Sequence, residues 1–208
     1  MEPSELIAKV GGRFSKALGI DLASHNKEAL FAWLLAAILY GARISWKIAE
    51  RTWHCFEARG ILSPEAIRQA GWEKLVALLD EGGYARYDFK TATKLLAAAE
   101  SLKTRYGGDL NRIHAEATSL ADLEARLTGL ATGIGPVTAG IFLRELRGIW
   151  EKADPLPSHE TIAAAMQLGY IGNDVEGGRE ALHRLRQLCK PPDFPDFEAA
   201  LLRWKKLD

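Results

Sequence analysis

Apolar positions in this chain recur at intervals of three and four residues, and no segment alternates apolar and polar in the manner of a strand. That periodicity predicts an all-α protein of about ten helices. Asn26 is placed to cap a helix over 27–40 whose apolar residues run all round its circumference, the mark of a helix buried on every side. Ser45 is placed to cap a helix over 46–59, and Ser63-Pro64-Glu65-Ala66 opens another with proline in its first turn. A short helix over 72–79 ends before Gly82-Gly83, and a long amphipathic one over 89–106 is closed by Gly107-Gly108. Pro155-Leu156-Pro157 interrupts helical structure, and Ser158 then caps a helix over 159–169. Two more helices are expected over 178–189 and 197–206, separated by Pro191-Pro192. No internal repeat, low-complexity stretch or flexible linker divides the chain.

The segment ahead of the proline break says most. Leu120, Leu123, Leu127 and Leu130 mark one amphipathic helix and Val137, Ile141, Phe142 and Leu146 a second, joined through Gly133-Ile134-Gly135-Pro136. Glycines in such a turn permit positive φ and let an external group approach the backbone, and proline suits the first helical position. The N–H groups exposed there sit at the positive end of a helix and suit a phosphate. The segment reads as a helix-hairpin-helix and points to DNA.

Composition changes this picture in a few respects. A chain of 208 residues, 48% of them hydrophobic, suffices for one compact fold or two interleaved lobes. Twenty-seven basic residues balance 27 acidic ones, so a nucleic-acid contact must be a local patch and not a general polycationic surface. Cys55 and Cys189 match no metal or disulfide framework, which fits a reducing cytoplasm. MEPSELIAKVGG lacks the apolar core of a signal peptide, and the longest apolar run, 30–40, is too short to span a bilayer. The expectation is a soluble cytoplasmic protein without a membrane partner. Six tryptophans, Trp33, Trp46, Trp53, Trp72, Trp150 and Trp204, fall mostly on amphipathic helices and are expected mostly in the core.

Three segments, in order, resemble the helix-hairpin-helix DNA glycosylase superfamily, which includes endonuclease III, the adenine glycosylase and the alkyladenine glycosylases. EALFAWLLAAILYGARISWKIAERTW is similar to that family's opening helix, loop and second helix, and GGYARYDFKTATKLLAAAESL to its glycine-aromatic turn before a long helix. LTGLATGIGPVTAGIFLREL resembles its L-P-G-V-G-x-x-T-A hairpin, with Gly133 and Gly135 on the glycines and Thr138-Ala139 on the T-A pair. The resemblance covers roughly 26–169. It implies one glycosylase-type fold over 1–208 with a cleft between two helical lobes, 27–147 forming one and 1–26 joining 148–208 in the other. It implies a monomeric enzyme, needing no cofactor or metal, that extrudes a damaged or mispaired base from double-stranded DNA and hydrolyses its N-glycosidic bond.

The same resemblance assigns roles. Breaking that bond builds positive charge on the sugar, and the family sets a carboxylate beside it, an Asp shortly after the second hairpin helix. Counting nineteen residues on from Gly135 reaches Asp154, whereas counting back from the following helix puts Ser158 or His159 in that place. Asp154 and His159 are therefore the catalytic candidates, and Trp150, just ahead, is the candidate wall of a base pocket. Gly133, Ile134, Gly135, Val137 and Thr138 would hold a phosphate. Tyr40 and Arg43 fall where the family fills the gap left by the extruded base. Tyr84 and Arg86, in a turn with two glycines and a second tyrosine, suit stacking on bases, and Lys90 with Lys94 extends a phosphate-facing stripe. Members that also nick the strand carry a Lys two residues past the second glycine. Val137 stands there, so hydrolysis by water is expected, with Lys152 or another lysine as the variant. An iron–sulfur cluster needs four cysteines near the C-terminus, where only Cys189 occurs. The displaced Asp154 leaves a rival open, a DNA-binding module that kept the fold and lost catalysis.

Overall fold

Twelve helices and no strand occur among residues 1–205, the part of the chain described by this computed structural model. They are α1 (Pro3–Val10), α2 (Phe14–Ala17), α3 (Lys27–Tyr40), α4 (Trp46–Glu57), α5 (Pro64–Glu81), α6 (Asp88–Tyr106), α7 (Leu110–Glu116), α8 (Leu120–Thr128), α9 (Pro136–Arg144), α10 (His159–Gln167), α11 (Gly177–Leu188) and α12 (Phe194–Lys205). The all-α expectation holds. Asn26 caps α3 by accepting from the N–H groups of Glu28 and Ala29, and Ser158 caps α10 by accepting from Thr161. Ser45 precedes α4 without a side-chain cap bond. The two helices expected over the Ser63–Leu79 region form one span, α5, broken at Gly71, whose φ of 71° no helix accommodates. Helices α1, α2 and α7 carry too few apolar repeats to be read from periodicity. The last position of the final expected helix, Lys206, lies outside the described residues.

The chain forms two compact units, Ile20–Phe142 and a second that combines Met1–Gly19 with the residues from Leu143 onward. In the first, α3 is buried from Leu30 to Leu39 without interruption. Helix α4 packs on α3, α5 on α4 and α6, and α7 against α3, α6 and α8. Polar atoms on buried rings find carbonyls, as they must in a dry interior. Trp53 Nε1 donates to Ala32 O at 3.2 Å, Trp33 Nε1 to Phe142 O at 3.1 Å, and Tyr84 Oη to Leu39 O at 2.7 Å. Gly82 lets α5 close on α4, since a Cβ there would lie 2.5 Å from Thr52 Cα.

In the second unit α12 is the hub, carrying α1 and α10, with α11 against α10 around Leu6, Leu185, Phe197 and Leu201. Two carboxylates staple the N-terminal segment into it. Glu145 accepts from the Phe14 and Ser15 N–H groups, both at 2.7 Å, and Asp196 accepts from Arg13 N at 2.9 Å, Arg13 Nε at 3.2 Å and Lys16 Nζ at 2.8 Å. The two respond to pH with opposite sign. Burial pushes Glu145 above its ordinary range, its neighbouring Arg144 and the two N–H groups offsetting only part of that. Its contribution is therefore fullest in acid and lost as pH rises through the raised pKa. Burial also opposes ionisation of Asp196, but the Arg13 N–H, the Lys16 ammonium and the Arg13 guanidinium together hold it below 3.8. Its contribution is present at neutral pH and lost as pH falls through the lowered pKa. Asp196→Asn is expected to cost about 2 kcal/mol at neutral pH, the worth of hydrogen bonds to a charged group, with the deficit shrinking in acid. Urea unfolding at neutral and acid pH measures it; an equal deficit at both would contradict the assignment.

Candidate functional site

The turn between α8 and α9 is shaped by two glycines that play different parts. Gly133 has φ +89°, as a tight turn requires, but Gly135 is not in the left-handed region, so only one of the two needs glycine for its backbone. Ile134 N–H donates to Ala131 O at 3.1 Å and its side chain is buried, which removes it from any external contact. Ala139 N–H donates to Gly135 O at 3.0 Å as the first intrahelical bond. The N–H groups of Gly135, Val137 and Thr138 meet no acceptor among the described residues, the state of a helix N-terminus that can receive an anion. Val137 is 66% exposed beside them. The Thr138 side chain is buried and faces Gly41, where a Cβ would lie 2.4 Å from its Oγ1; Thr138 is thus a packing residue whose N–H alone is presented.

A groove of about 710 Å³ opens from this turn within the Ile20–Phe142 unit. Arg43, from the loop before α4, Tyr87, and Phe89, Lys90 and Lys94 of α6 line it as far as Thr132 and Gly133. No acidic residue belongs to the lining, and Arg43, Lys90 and Lys94 make no ion pair among the described residues. Lys94 leans on the turn itself, since a Cβ added to Gly133 would sit 2.9 Å from its Cε. Burial pushes the Lys94 ammonium below its ordinary range. Arg86 is exposed and stacks over Tyr87, 5.4 Å from the ring centroid. Helical spacing brings Lys90 and Lys94 to one side of α6; the fold adds Arg43 and the Gly133 turn to them.

Several expected contacts lie elsewhere. Tyr84 is fully buried, its hydroxyl bonded to Leu39 O and its pKa raised chiefly by burial, so it is a core residue and not a surface aromatic. Tyr40 is half-buried against Trp33, with ring centroids 6.4 Å apart. Trp150 is 1% exposed, its side chain interior to its own unit. His159 is exposed at the first position of α10 and makes no hydrogen bond among the described residues.

Asp154 is not a free carboxylate. Its oxygens accept from Arg147 and from both terminal nitrogens of Arg186, Nη1 at 3.1 Å, while its side chain remains 43% exposed. Arg147 is itself buried, bonded to Glu198 at 3.0 Å and to Pro155 O, and stacked over Phe194. Arg147, Glu198 and Phe89, absent from the expected site, matter here, and Trp72, expected with the other tryptophans in the core, is instead 41% exposed. Phe89 had one legible signal, an apolar side chain in the first turn of a helix; the pairing of Arg147 had none.

Among the described residues no group of three His, Cys, Asp or Glu is placed to hold a metal, and no helix is long and apolar enough to cross a membrane. No known protein family matches the chain, and neither does any curated protein or solved structure.

The two turn glycines separate in stability. Gly133→Ala is expected to cost about 1–2 kcal/mol, because a side chain there must adopt a left-handed backbone. Gly135→Ala, with nothing within 4 Å of its new methyl, is expected to stay within about 0.5 kcal/mol of the parent. Thermal unfolding of the two variants reads this directly, and equal losses would mean the turn differs from the one described.

Proposed function

We propose that the chain binds double-stranded DNA through its Ile20–Phe142 unit and acts on it as a monofunctional base-excising glycosylase of the helix-hairpin-helix kind. The observation that carries the DNA part is the convergence of Arg43, Lys90 and Lys94, none of them ion-paired among the described residues, on a groove that ends at Gly133. Unpaired cations along a lining without acids suit a polyanion, and the free N–H groups at the start of α9 suit one of its phosphates. The excision part is supported by the resemblance of three ordered segments to that superfamily. On this reading Asp154 lends negative charge to the developing sugar cation, His159 meets a phosphate or the attacking water, and Val137 offers no amine for strand nicking.

One observation favours a second reading. A carboxylate shared by Arg147 and Arg186 presents little net negative potential to a sugar cation, and α10 begins with Ser158-His159 instead of an acid. In that case the chain binds DNA and releases no base.

The two part on a single set of assays. Duplexes each carrying hypoxanthine, uracil, 3-methyladenine or 8-oxoguanine are incubated with the protein, base loss being scored by alkali cleavage and binding by anisotropy over a salt series. Release of one base class, abolished in Asp154→Asn, is the result expected of the enzyme. Salt-sensitive binding with no release establishes the second reading, and absence of salt-sensitive binding overturns both. Replacing Lys90 and Lys94 together by Gln is expected to lower the slope of log K against log salt by about two, roughly one for each phosphate that no longer meets a cation.

A further inference from the structure

Trp72 and Phe89 are large and apolar, yet 41% and 58% exposed, and they pack on each other with ring centroids 5.2 Å apart and 42° between planes. Burial does not hold Trp72 in place. Its Nε1 donates to Thr93 Oγ1 at 3.1 Å, and that hydroxyl donates to Phe89 O at 2.9 Å. Gly71, with φ 71° and ψ 170°, breaks α5 immediately before Trp72 and so sets the direction in which the indole leaves the helix. The pair is a fixed surface, and Phe89 and Thr93 carry it onto the wall of the groove that holds Arg43, Lys90 and Lys94.

We infer that this groove receives an unpaired DNA strand, its bases stacking on the Phe89–Trp72 pair while Arg43, Lys90 and Lys94 meet its phosphates. The inference rests on the DNA-binding reading above and names the form of DNA that the site selects. In an intact duplex each base face is covered by its neighbours, so an exposed ring pair gains stacking only from a base that has left the helix. Cations alone would suit duplex phosphates as well, and rings alone would suit an apolar protein partner. Rings and three unpaired cations along one groove, with no acid in the lining, fit a strand that offers bases and phosphates together. The volume, about 710 Å³, lies in the range of roughly 300–1,000 Å³ typical of clefts for small ligands, enough for a nucleotide. Lys94, already short of hydration, gains from an incoming phosphate what burial took from it.

The test compares three fluorescein-labelled probes of one sequence at fixed salt: an intact duplex, the same duplex with a short internal bubble, and the single strand. The full chain, Phe89→Ala and Trp72→Phe are titrated against each by anisotropy, with tryptophan emission followed in parallel. Bubble and single strand are expected to bind about tenfold more tightly than duplex, a margin that stacking of one base supplies. Phe89→Ala, at an exposed position that tolerates truncation, is expected to erase that margin, bringing bubble and duplex affinities within about twofold of each other. Quenching of tryptophan emission by the bubble probe is expected in the parent and reduced in Trp72→Phe. Equal affinity for duplex and bubble, with Phe89→Ala silent, overturns this inference and leaves the duplex-binding reading standing. Failure to bind any probe overturns both.

Discussion

The desolvated guanidinium of Arg147 organises the unit built from the two ends of the chain. Only 3% of its side chain is exposed, and the carboxylate of Glu198 that it meets is 2% exposed. Taking such a pair out of water costs several kcal/mol per ion unless the remaining donors are also satisfied. Here they are: Pro155 O and Asp154 accept from the other nitrogens, and Phe194 lies under the guanidinium plane. That requirement pulls the proline-rich loop after α9 onto α12 and brings Asp154 within reach of Arg186 on α11. The carboxylate that the resemblance makes catalytic is thereby enlisted in neutralising two cations. Its surroundings are set by the pairing needs of the buried Arg147 and not by its distance along the chain from the turn before α9.

The Ile20–Phe142 unit treats charge in the opposite way along one groove. Elsewhere three of its arginines are ion-paired, Arg59 with Glu81, Arg68 with Glu65 and Glu100, and Arg126 with Asp122 and Glu116, while Arg51 and Arg105 donate to the carbonyls of Gly82 and Gly129. Arg43, Lys90 and Lys94 face a lining without an acid. A chain of zero net charge thus acquires a cationic surface through where its acids are absent. Exposed rings share that surface, although the same unit buries Trp33, Trp53 and Tyr84 and gives each a carbonyl partner.

Legibility in the sequence followed range. Helices α3, α6, α8 and α9 and the caps at Asn26 and Ser158 rest on periodicity and on bonds two or three residues long, and these were readable. Helix α1 was not, because its buried face is completed by α12 at the far end of the chain, nor was α2, because what orders it is Glu145, 130 residues further on, and Asp196, still more distant. The turn at Gly133 was legible as a turn. That Ile134 and Thr138 point inward, and that Lys94 lies against Gly133, was not. Of two tyrosines three residues apart, Tyr84 went to the core and Tyr87 to the groove.

Local residue order was enough for the helical class, the placing of the principal helices and the glycine turn between α8 and α9. Those depend on residue spacing, proline and glycine geometry and local capping, all of which act within a turn or two of helix. Long-range packing settles which rings are buried, which cations go unpaired and which groups share Asp154. Each of those outcomes turns on burial and on partners brought from distant parts of the chain, and a buried charge or ring takes its behaviour from what surrounds it.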